Sequence, residues 1–454
     1  MAKGKAQASN SRRVFLKRAL GLGGVAVVSC LIGAQAQRVY YPPSGGSSTS
    51  STSSSTTESG KGCLAFKRST LISGFEDLGE WSKGEVQELT ADTINFKQGS
   101  QGIKWTSMNG VRTRADRTLS VNAVGKHFEL WVYVDHSDNL QLLDIYMEVS
   151  PDWARYFNRS YSGTYLGCSG DRPLTGWWRL SISRANFIAS GGATKDDWAT
   201  VSKFRLAVTS RAGTTANVTF DDFRMVTDRF AGNVTLRFDD GLATTYNEAR
   251  KRMDAYGFRG VAAVSTSLVP LSLIDQGHGL MTPTQLKALE SLGWDIVSHS
   301  NHHIPLSQQP EETMESELRE SQQYLIQNGL TRGSRFFIPP EHDWNPTLEY
   351  YIKKYYQGCQ FKEEFHETIP PGDPYRMKCM PVKNTTPVPT VQGWIDAAKD
   401  SNAWLTLVFH GIVDPASEEY ECTPSNFQSV IDYIHSQGID VVTFSDVFDE
   451  LIPT

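Results

Sequence analysis

The stretch Val234-Thr235-Leu236-Arg237-Phe238-Asp239-Asp240-Gly241-Leu242-Ala243 begins apolar and β-branched and closes on two adjacent carboxylates and a glycine. Its first half reads as a strand. Two neighbouring acids repel each other unless a cation or a proton divides them. A strand that looks buried and ends in such a pair therefore delivers it to a place where its charge is used. Helix capping accounts for one aspartate, at about 1 kcal/mol, and leaves the second unexplained. Gly241 permits a tight exit into the next segment.

Downstream of Phe230 the chain alternates between strand and helix patterns. Gly260–Val264, Trp294–Val297, Arg335–Ile338, Trp404–Phe409 and Ile439–Thr443 read as further strands. Leu242–Tyr256, Thr284–Leu292, Glu311–Gln327, Pro346–Tyr356, Val391–Asp400 and Ser425–Ser436 read as the intervening helices. Such alternation implies a parallel sheet with crossover helices, here a distorted (β/α) barrel of about seven strands. Catalytic groups in such barrels sit at the C-terminal strand ends. Three polar clusters fall there: Asp239-Asp240, the run Ser298-His299-Ser300-Asn301-His302-His303, and His410.

His299 and His303 with one carboxylate make a two-nitrogen, one-oxygen donor set, a common catalytic zinc arrangement with positions left open. His302 reads as a surface neighbour. The second aspartate is then free to accept a proton. His410 carries an imidazole, the side chain whose ordinary range lies near neutrality, and suits giving a proton to a leaving amine.

These residues resemble the polysaccharide deacetylase family, the NodB-homology carbohydrate esterases. The likeness rests on Arg237-Phe238-Asp239-Asp240-Gly241, His299-Ser300-Asn301-His302-His303, Phe337-Ile338-Pro339-Pro340-Glu341 and Leu407-Val408-Phe409-His410, in that order. It implies a metal-dependent hydrolase that removes acetyl groups from an N-acetylated cell-surface or extracellular polysaccharide, cleaving a carbon–nitrogen amide bond that is not a peptide bond. Asp239 is then the general base toward water, and His410 the general acid. Asp240, His299 and His303 hold zinc or another divalent transition metal. The backbone N–H of Glu341, just after Pro340, faces the oxyanion. Two departures stand out. Arg237 replaces the usual threonine of the first motif, and Ile338 stands where the family has the arginine that orients the base. Arg237 and Arg376 are the candidate substitutes for that arginine, and Asp396 is the candidate tuner of His410. The altered third motif keeps open two alternatives: a catalytically weak, glycan-binding surface protein, and a metal-dependent O-acetyl esterase.

Residues 63–228 have a different texture, with short alternating strands separated by turns: His127–Val134, Leu142–Val149, Trp177–Arg184, Lys203–Ser210 and Ala216–Val226. This pattern predicts an antiparallel β-sandwich. It resembles the jelly-roll carbohydrate-binding modules of sugar-active enzymes through GFEDLGEW, WWRLSISRANF and VTFDDFRMV. That resemblance implies a structural Ca2+ with Glu76 and Asp222 as candidate ligands. Trp153, Trp177 and Trp178 are candidate sugar-stacking rings. The domain divisions are thus 1–36, 37–62, 63–228 and 229–454.

Residues 1–36 carry Arg12-Arg13, an apolar run from Ala19 to Ile32 and Ala34-Gln35-Ala36. That is the layout of an export signal, twin-arginine-like in its S-R-R-x-F-L-K order. The same segment also reads as a membrane anchor or, at Val27-Val28-Ser29-Cys30, as a lipoprotein box. The Ser/Thr/Gly-rich stretch within 37–62 is a linker. An exported, extracellular or surface-attached protein is expected, touching membrane only through its first segment. Loss of the leader removes six basic residues and leaves 38 basic against 50 acidic ones. This balance argues against a nucleic-acid partner and leaves a polysaccharide or oligosaccharide. Of six cysteines, Cys359 with Cys379 is the readiest disulfide pair, and Cys63 with Cys168 a second.

Overall fold

The computed structural model describes residues 69–84, 89–163, 175–269, 279–363 and 365–451. The proposed leader, the linker, Cys30, Cys63 and Cys168 lie outside these residues. Among them no helix is long and apolar enough to cross a membrane.

The first half is a sandwich of two six-stranded antiparallel sheets. One runs Leu89–Asp92, Gly102–Met108, Thr215–Thr227, Lys126–Val134, Gly176–Ile182, with Ser69–Ser73 also on Thr215–Thr227. The other runs Ile188–Ser190, Tyr156–Ser162, Leu140–Glu148, Val201–Ser210, Arg112–Val121, Ser82–Lys83. Alternation puts Phe128, Leu130, Val132 and Val134 on the inner face of one strand, and they meet Phe204, Leu206 and Val208 of the opposite sheet in one core.

The second half closes into a barrel. Asn233–Phe238, Val261–Val264, Asp295–Ser298, Phe336–Phe337, Gly358–Glu363, Met377–Pro381 and Trp404–Phe409 pair in parallel in that order, and the last pairs with the first over the full register Asn233↔Trp404 to Phe238↔Phe409. Two of these seven, Gly358–Glu363 and Met377–Pro381, are absent from the strands expected from the sequence. No helix separates them, so the strand–helix rhythm between Pro346–Tyr355 and Val388–Ser401 leaves room for one strand where there are two. The expected last strand shrinks to Asp440–Val441. It joins the sheet outside the closed ring, paired with Asn233 and Val234.

Cys359 and Cys379 are free thiols, which corrects the expected disulfide. They face opposite sides of the barrel wall. Cys359 packs outward with Phe337 and Tyr356, whereas Cys379 reaches the Arg237 guanidinium within.

The sandwich docks on the barrel through buried polar contacts. Asn186 donates to the His366 carbonyl (2.8 Å) and accepts from the His366 N–H (2.9 Å). Ser181 and Thr368 hydroxyls lie 2.6 Å apart, and the Lys378 ammonium bridges the Ser181 carbonyl (3.0 Å) and Glu367 (2.8 Å). The His366 ring donates to the Trp394 carbonyl at 2.8 Å. Burial pushes this imidazole down to about 4 from an ordinary 6.5. The folded protein therefore keeps it neutral while the unfolded chain takes up a proton below pH 6.5, so its contribution to stability is lost as pH falls from 6.5 to 4. The loss is about 3 kcal/mol at most. Urea titrations at pH 7 and pH 4 check this. His366→Gln, which keeps a donor for Trp394 and does not titrate, is expected to lose less stability on acidification than the wild type. The comparison cancels Asp295, which burial pushes up to about 6 and whose effect has the opposite sign.

Candidate active site

The paired carboxylates emerge at the end of Asn233–Phe238. Residues two apart on a strand share a face, and Arg237 and Asp239 do. The Arg237 Nε and Nη2 donate to the two oxygens of Asp239 at 2.9 and 2.8 Å, a bidentate pair. Arg237 is fully buried and Asp239 nearly so. Nη1 donates to the side-chain oxygen of Gln360 at 2.8 Å. Gln360 is fixed in turn by donating to the Lys378 carbonyl and the Thr406 hydroxyl. Burial pushes the Asp239 carboxyl up, but the Arg237 charge, with His299 and His410 behind it, outweighs burial and holds the acid below its usual range.

Asp240 turns away from its neighbour because both it and Gly241 adopt left-handed backbone, with φ of 68° and 67°. Its Oδ1 lies 3.0 Å from His303 Nε2 and 3.4 Å from His299 Nε2. One ligand atom from each of Asp240, His299 and His303 falls within 4.8 Å of the others, and among the described residues they form the one cluster of its kind. Burial raises the Asp240 carboxyl, yet hydrogen bonds from the two imidazoles win and hold it well below the usual range.

Each imidazole is aimed. His299 follows Asp295–Ser298, and its Nδ1 sits 2.7 Å from the Ile338 carbonyl. With the proton on Nδ1, Nε2 is left as the ligating atom. Ile338, which stands in place of an arginine, thus contributes its backbone. The loop holding His303 is tied by Glu317, which accepts from the backbone N–H of Asn301 and of His302, each at 2.9 Å, and meets His302 Nδ1 at 2.6 Å. His302 is thereby turned outward, as expected.

The Asp239 N–H donates to the Phe409 carbonyl at 3.0 Å. Since Phe238 pairs with Phe409, Asp239 and His410 leave adjacent strand ends together. The His410 ring is tilted against Tyr420, centroids 5.0 Å apart. Asp396 does not reach it, for Asp396 accepts from the Tyr433 hydroxyl. Pro340–His342 forms a single tight turn, with Glu341 and His342 both left-handed. Of the eleven non-glycine residues with positive φ among the described residues, five (Asp240, Ser300, His303, Glu341 and His342) lie at this barrel mouth. Such conformations persist where surrounding structure holds them, characteristically at functional sites.

The other expected site residues lie elsewhere. Arg376 is not the partner of Asp239. It pairs with Glu349 at 2.9 Å and stacks over Trp178 and Trp344 at 3.9 and 4.4 Å. Asp222 is held by Arg224, and Glu76 accepts from the N–H and hydroxyl of Ser100. No three-ligand cluster of His, Cys, Asp or Glu forms around either among the described residues. Arg205 lies 4.0 Å over the Trp153 ring. Trp153 and Trp178 therefore already present a face to a guanidinium.

Two further residues, to which the motifs assign no role, join the site. His342 brings its Nε2 to 3.2 Å from Arg237 Nη2, and Gln360 completes the guanidinium's partners. The extra imidazole two residues past Pro340 was the available signal for the first.

Residues 228–357 match the family model described as polysaccharide deacetylase. The matched segment spans the first motif through the third and ends before His410. It is less than a third of the chain. The matched segment thus holds the Arg237–Asp239 pair and the Asp240, His299 and His303 cluster. No curated protein matches the chain. Similar solved structures include the Xyl-CE4 domain of a multidomain xylanase from the hindgut metagenome of Trinervitermes trinervoides, at 16% identity over 48% of this chain and 91% of that one, TM-score 0.34. Peptidoglycan deacetylase PdaC from Bacillus subtilis is similar at 16% identity over 48% and 91%, TM-score 0.32. A family 4 acetyl xylan esterase from Clostridium thermocellum in complex with a cobalt ion is similar at 16% over 48% and 90%, TM-score 0.34.

Proposed function

We infer that this protein is a metal-dependent hydrolase that removes acetyl groups from an N-acetylated extracellular or cell-surface polysaccharide. The observation that carries the reading is the division of labour between adjacent acids. Asp239 is clamped by a buried guanidinium, and Asp240 is surrounded by two imidazoles.

The donor set fits a divalent transition ion. Two nitrogens and one carboxylate oxygen converge, and the His299 tautomer is fixed by a carbonyl on its far nitrogen. Asp240, His299 and His303 would hold it, and when bound it supplies Lewis acidity that makes water a better nucleophile and polarises a carbonyl. Asp239 accepts the proton that water gives up, and the bidentate Arg237 contact keeps its oxygens in one orientation. His410, on the adjacent strand end, returns a proton to the departing nitrogen. The N–H of Glu341, after Pro340, faces the developing oxyanion. An N-acetyl group then leaves as acetate and a free amine remains. The basic–apolar–small leader supports export, and the acidic balance of the remaining chain is consistent with a neutral glycan partner.

The test has two readouts. Full-length protein is stripped with chelator and titrated with Zn2+ by calorimetry. One ion per chain is expected, and His303→Ala is expected to weaken retention by more than the roughly 10–100-fold typical of losing an outer partner. Acetate release is then followed on chitin-like, peptidoglycan-like and O-acetylated xylan oligomers. Zn2+-dependent release from N-acetylated oligomers supports the reading, and release from O-acetylated xylan alone replaces it with an esterase. Stoichiometric metal with no release from any of them replaces it with glycan binding.

A further inference from the structure

A general acid works only within hydrogen-bond reach of the atom it protonates, about 2.6–3.2 Å. An imidazole on a strand end turns about two side-chain torsions unless something packs against it. His410 is half-buried at the barrel mouth, so its aim has to be supplied. Asp396, the carboxylate expected to serve it, accepts from the Tyr433 hydroxyl instead. The ring that meets His410 is that of Tyr420, with centroids 5.0 Å apart and planes tilted by 40°.

Tyr420 lies well along the chain from His410 and returns to it because the intervening segment closes on itself. The Cys422 N–H donates to the Gly411 carbonyl at 2.8 Å, and the Val413 N–H donates to the Cys422 carbonyl at 3.0 Å. Ile412 and Cys422 belong to the barrel core. Both roots of this strap are therefore anchored, while its tip, from Ser417 to Glu419, is exposed. The Ile412 N–H also donates to the Thr244 hydroxyl at 3.3 Å, which ties the strap to the segment just after Asp239-Asp240-Gly241. A Cβ at position 411 would come within 3.3 Å of Glu421 Cγ, so glycine suits the close return.

The residues on either side of Tyr420 are pinned as well. The Glu421 carboxylate accepts from the N–H groups of Ser417 and Glu418 at 2.7 and 2.8 Å. Glu419 is held from the neighbouring strand end. Its carbonyl accepts from the Asn384 N–H at 2.9 Å, and its carboxylate pairs with Lys383 at 2.8 Å. Lys383 follows Met377–Pro381, the strand beside Trp404–Phe409, and its ammonium lies 5.3 Å from the Tyr420 ring centroid. A tyrosine ring has only two torsions, so fixing its neighbours fixes the ring at small entropic cost.

We propose that Tyr420 is a positioning residue for the general acid: its ring backs the His410 imidazole and holds it in the orientation that delivers a proton to the departing nitrogen. The proposal rests on the deacetylase reading, in which His410 is that acid. Tyr420 acts through His410, so its loss spares metal retention and spares any reaction whose leaving group needs no proton.

The experiment compares two substrates of the Zn2+-loaded full chain. In an N-acetylglucosamine oligomer the nitrogen leaves only when protonated, whereas 4-nitrophenyl acetate loses its phenolate without a proton. Tyr420→Leu is expected to lower kcat on the oligomer by about tenfold, with KM within about twofold. It is expected to leave turnover of the aryl ester, and the one ion per chain, unchanged. Tyr420→Phe, which keeps the ring, is expected to match the wild type. His410→Ala is expected to show the same selectivity with a larger loss, and adding Tyr420→Leu to it is expected to cost nothing more. Should Tyr420→Leu fail to fold, Tyr420→Met makes the same comparison. Equal losses on both substrates, a further loss in the double variant, or a folded Tyr420→Leu that matches the wild type on the oligomer overturns the proposal. If the wild type releases acetate from O-acetylated xylan alone, the deacetylase reading falls. The same comparison on xylan, whose alkoxide also leaves with a proton, then decides the role of Tyr420. Release from no sugar removes both readings.

Discussion

Asp239→Asn is expected to lower acetate release by about 10²–10⁴-fold while the protein still retains one divalent ion per chain. The size of the loss is that of removing a positioned general base. Retention follows because the clustered ligands are Asp240, His299 and His303, and Asp239 is not among them. Asparagine has nearly the shape of aspartate, so the barrel mouth is not opened. The amide oxygen still accepts one Arg237 N–H, but its NH2 faces the other donor, so the clamp is halved as well as the basicity removed. Calorimetric metal titration and acetate release on the same preparation separate the outcomes. Turnover within a few fold of the wild type places the base elsewhere, and loss of the ion shows that the substitution acted through its neighbour.

How much of this was legible beforehand varied with the kind of signal. Strands followed by a helix announced themselves, because periodicity changes from two to 3.6 at each boundary. The helix Glu311–Gln327 is found with the bounds the pattern predicts. Gly358–Glu363 and Met377–Pro381 did not announce themselves, because only a loop joins them and no change of period separates one from the other. The ligand cluster was legible because its residues fall at strand ends, where topology decides convergence. Arg237 was legible in principle for a stronger reason than its resemblance to a missing arginine: on a strand, i and i+2 share a face. Arg376 lies in a loop, where no period fixes direction, and the alternatives that drew it, Glu349 and two indole rings, are distant in sequence. Trp153 and Trp178 went the same way, to Arg205 and Arg376. Whether a half-buried ring faces solvent or a guanidinium depends on cross-strand and interdomain neighbours that composition does not reveal.

The same clamp yields the largest expected effect on stability. Arg237→Met leaves a methionine of similar length beside a carboxylate that is 3% exposed, and it also removes a donor from Gln360. Breaking a buried, hydrogen-bonded ion pair from one side costs about 3–5 kcal/mol, mostly the penalty of the charge left behind. If that is the origin, neutralising the orphan should restore much of the loss. The double variant Arg237→Met/Asp239→Asn is therefore expected to unfold at higher urea than Arg237→Met alone, although both are inactive. Arg237→Lys should not rescue activity, because one ammonium cannot meet both carboxylate oxygens in the plane that a guanidinium fits. Urea midpoints for the two single variants and the double variant form a cycle that measures the coupling directly. Additive losses, or a folded Arg237→Met with the wild-type midpoint, would mean that the guanidinium does not carry the charge of Asp239. The orientation of Asp239 would then have to come from the fourth imidazole of the site, His342, which sits 3.2 Å from the same guanidinium nitrogen.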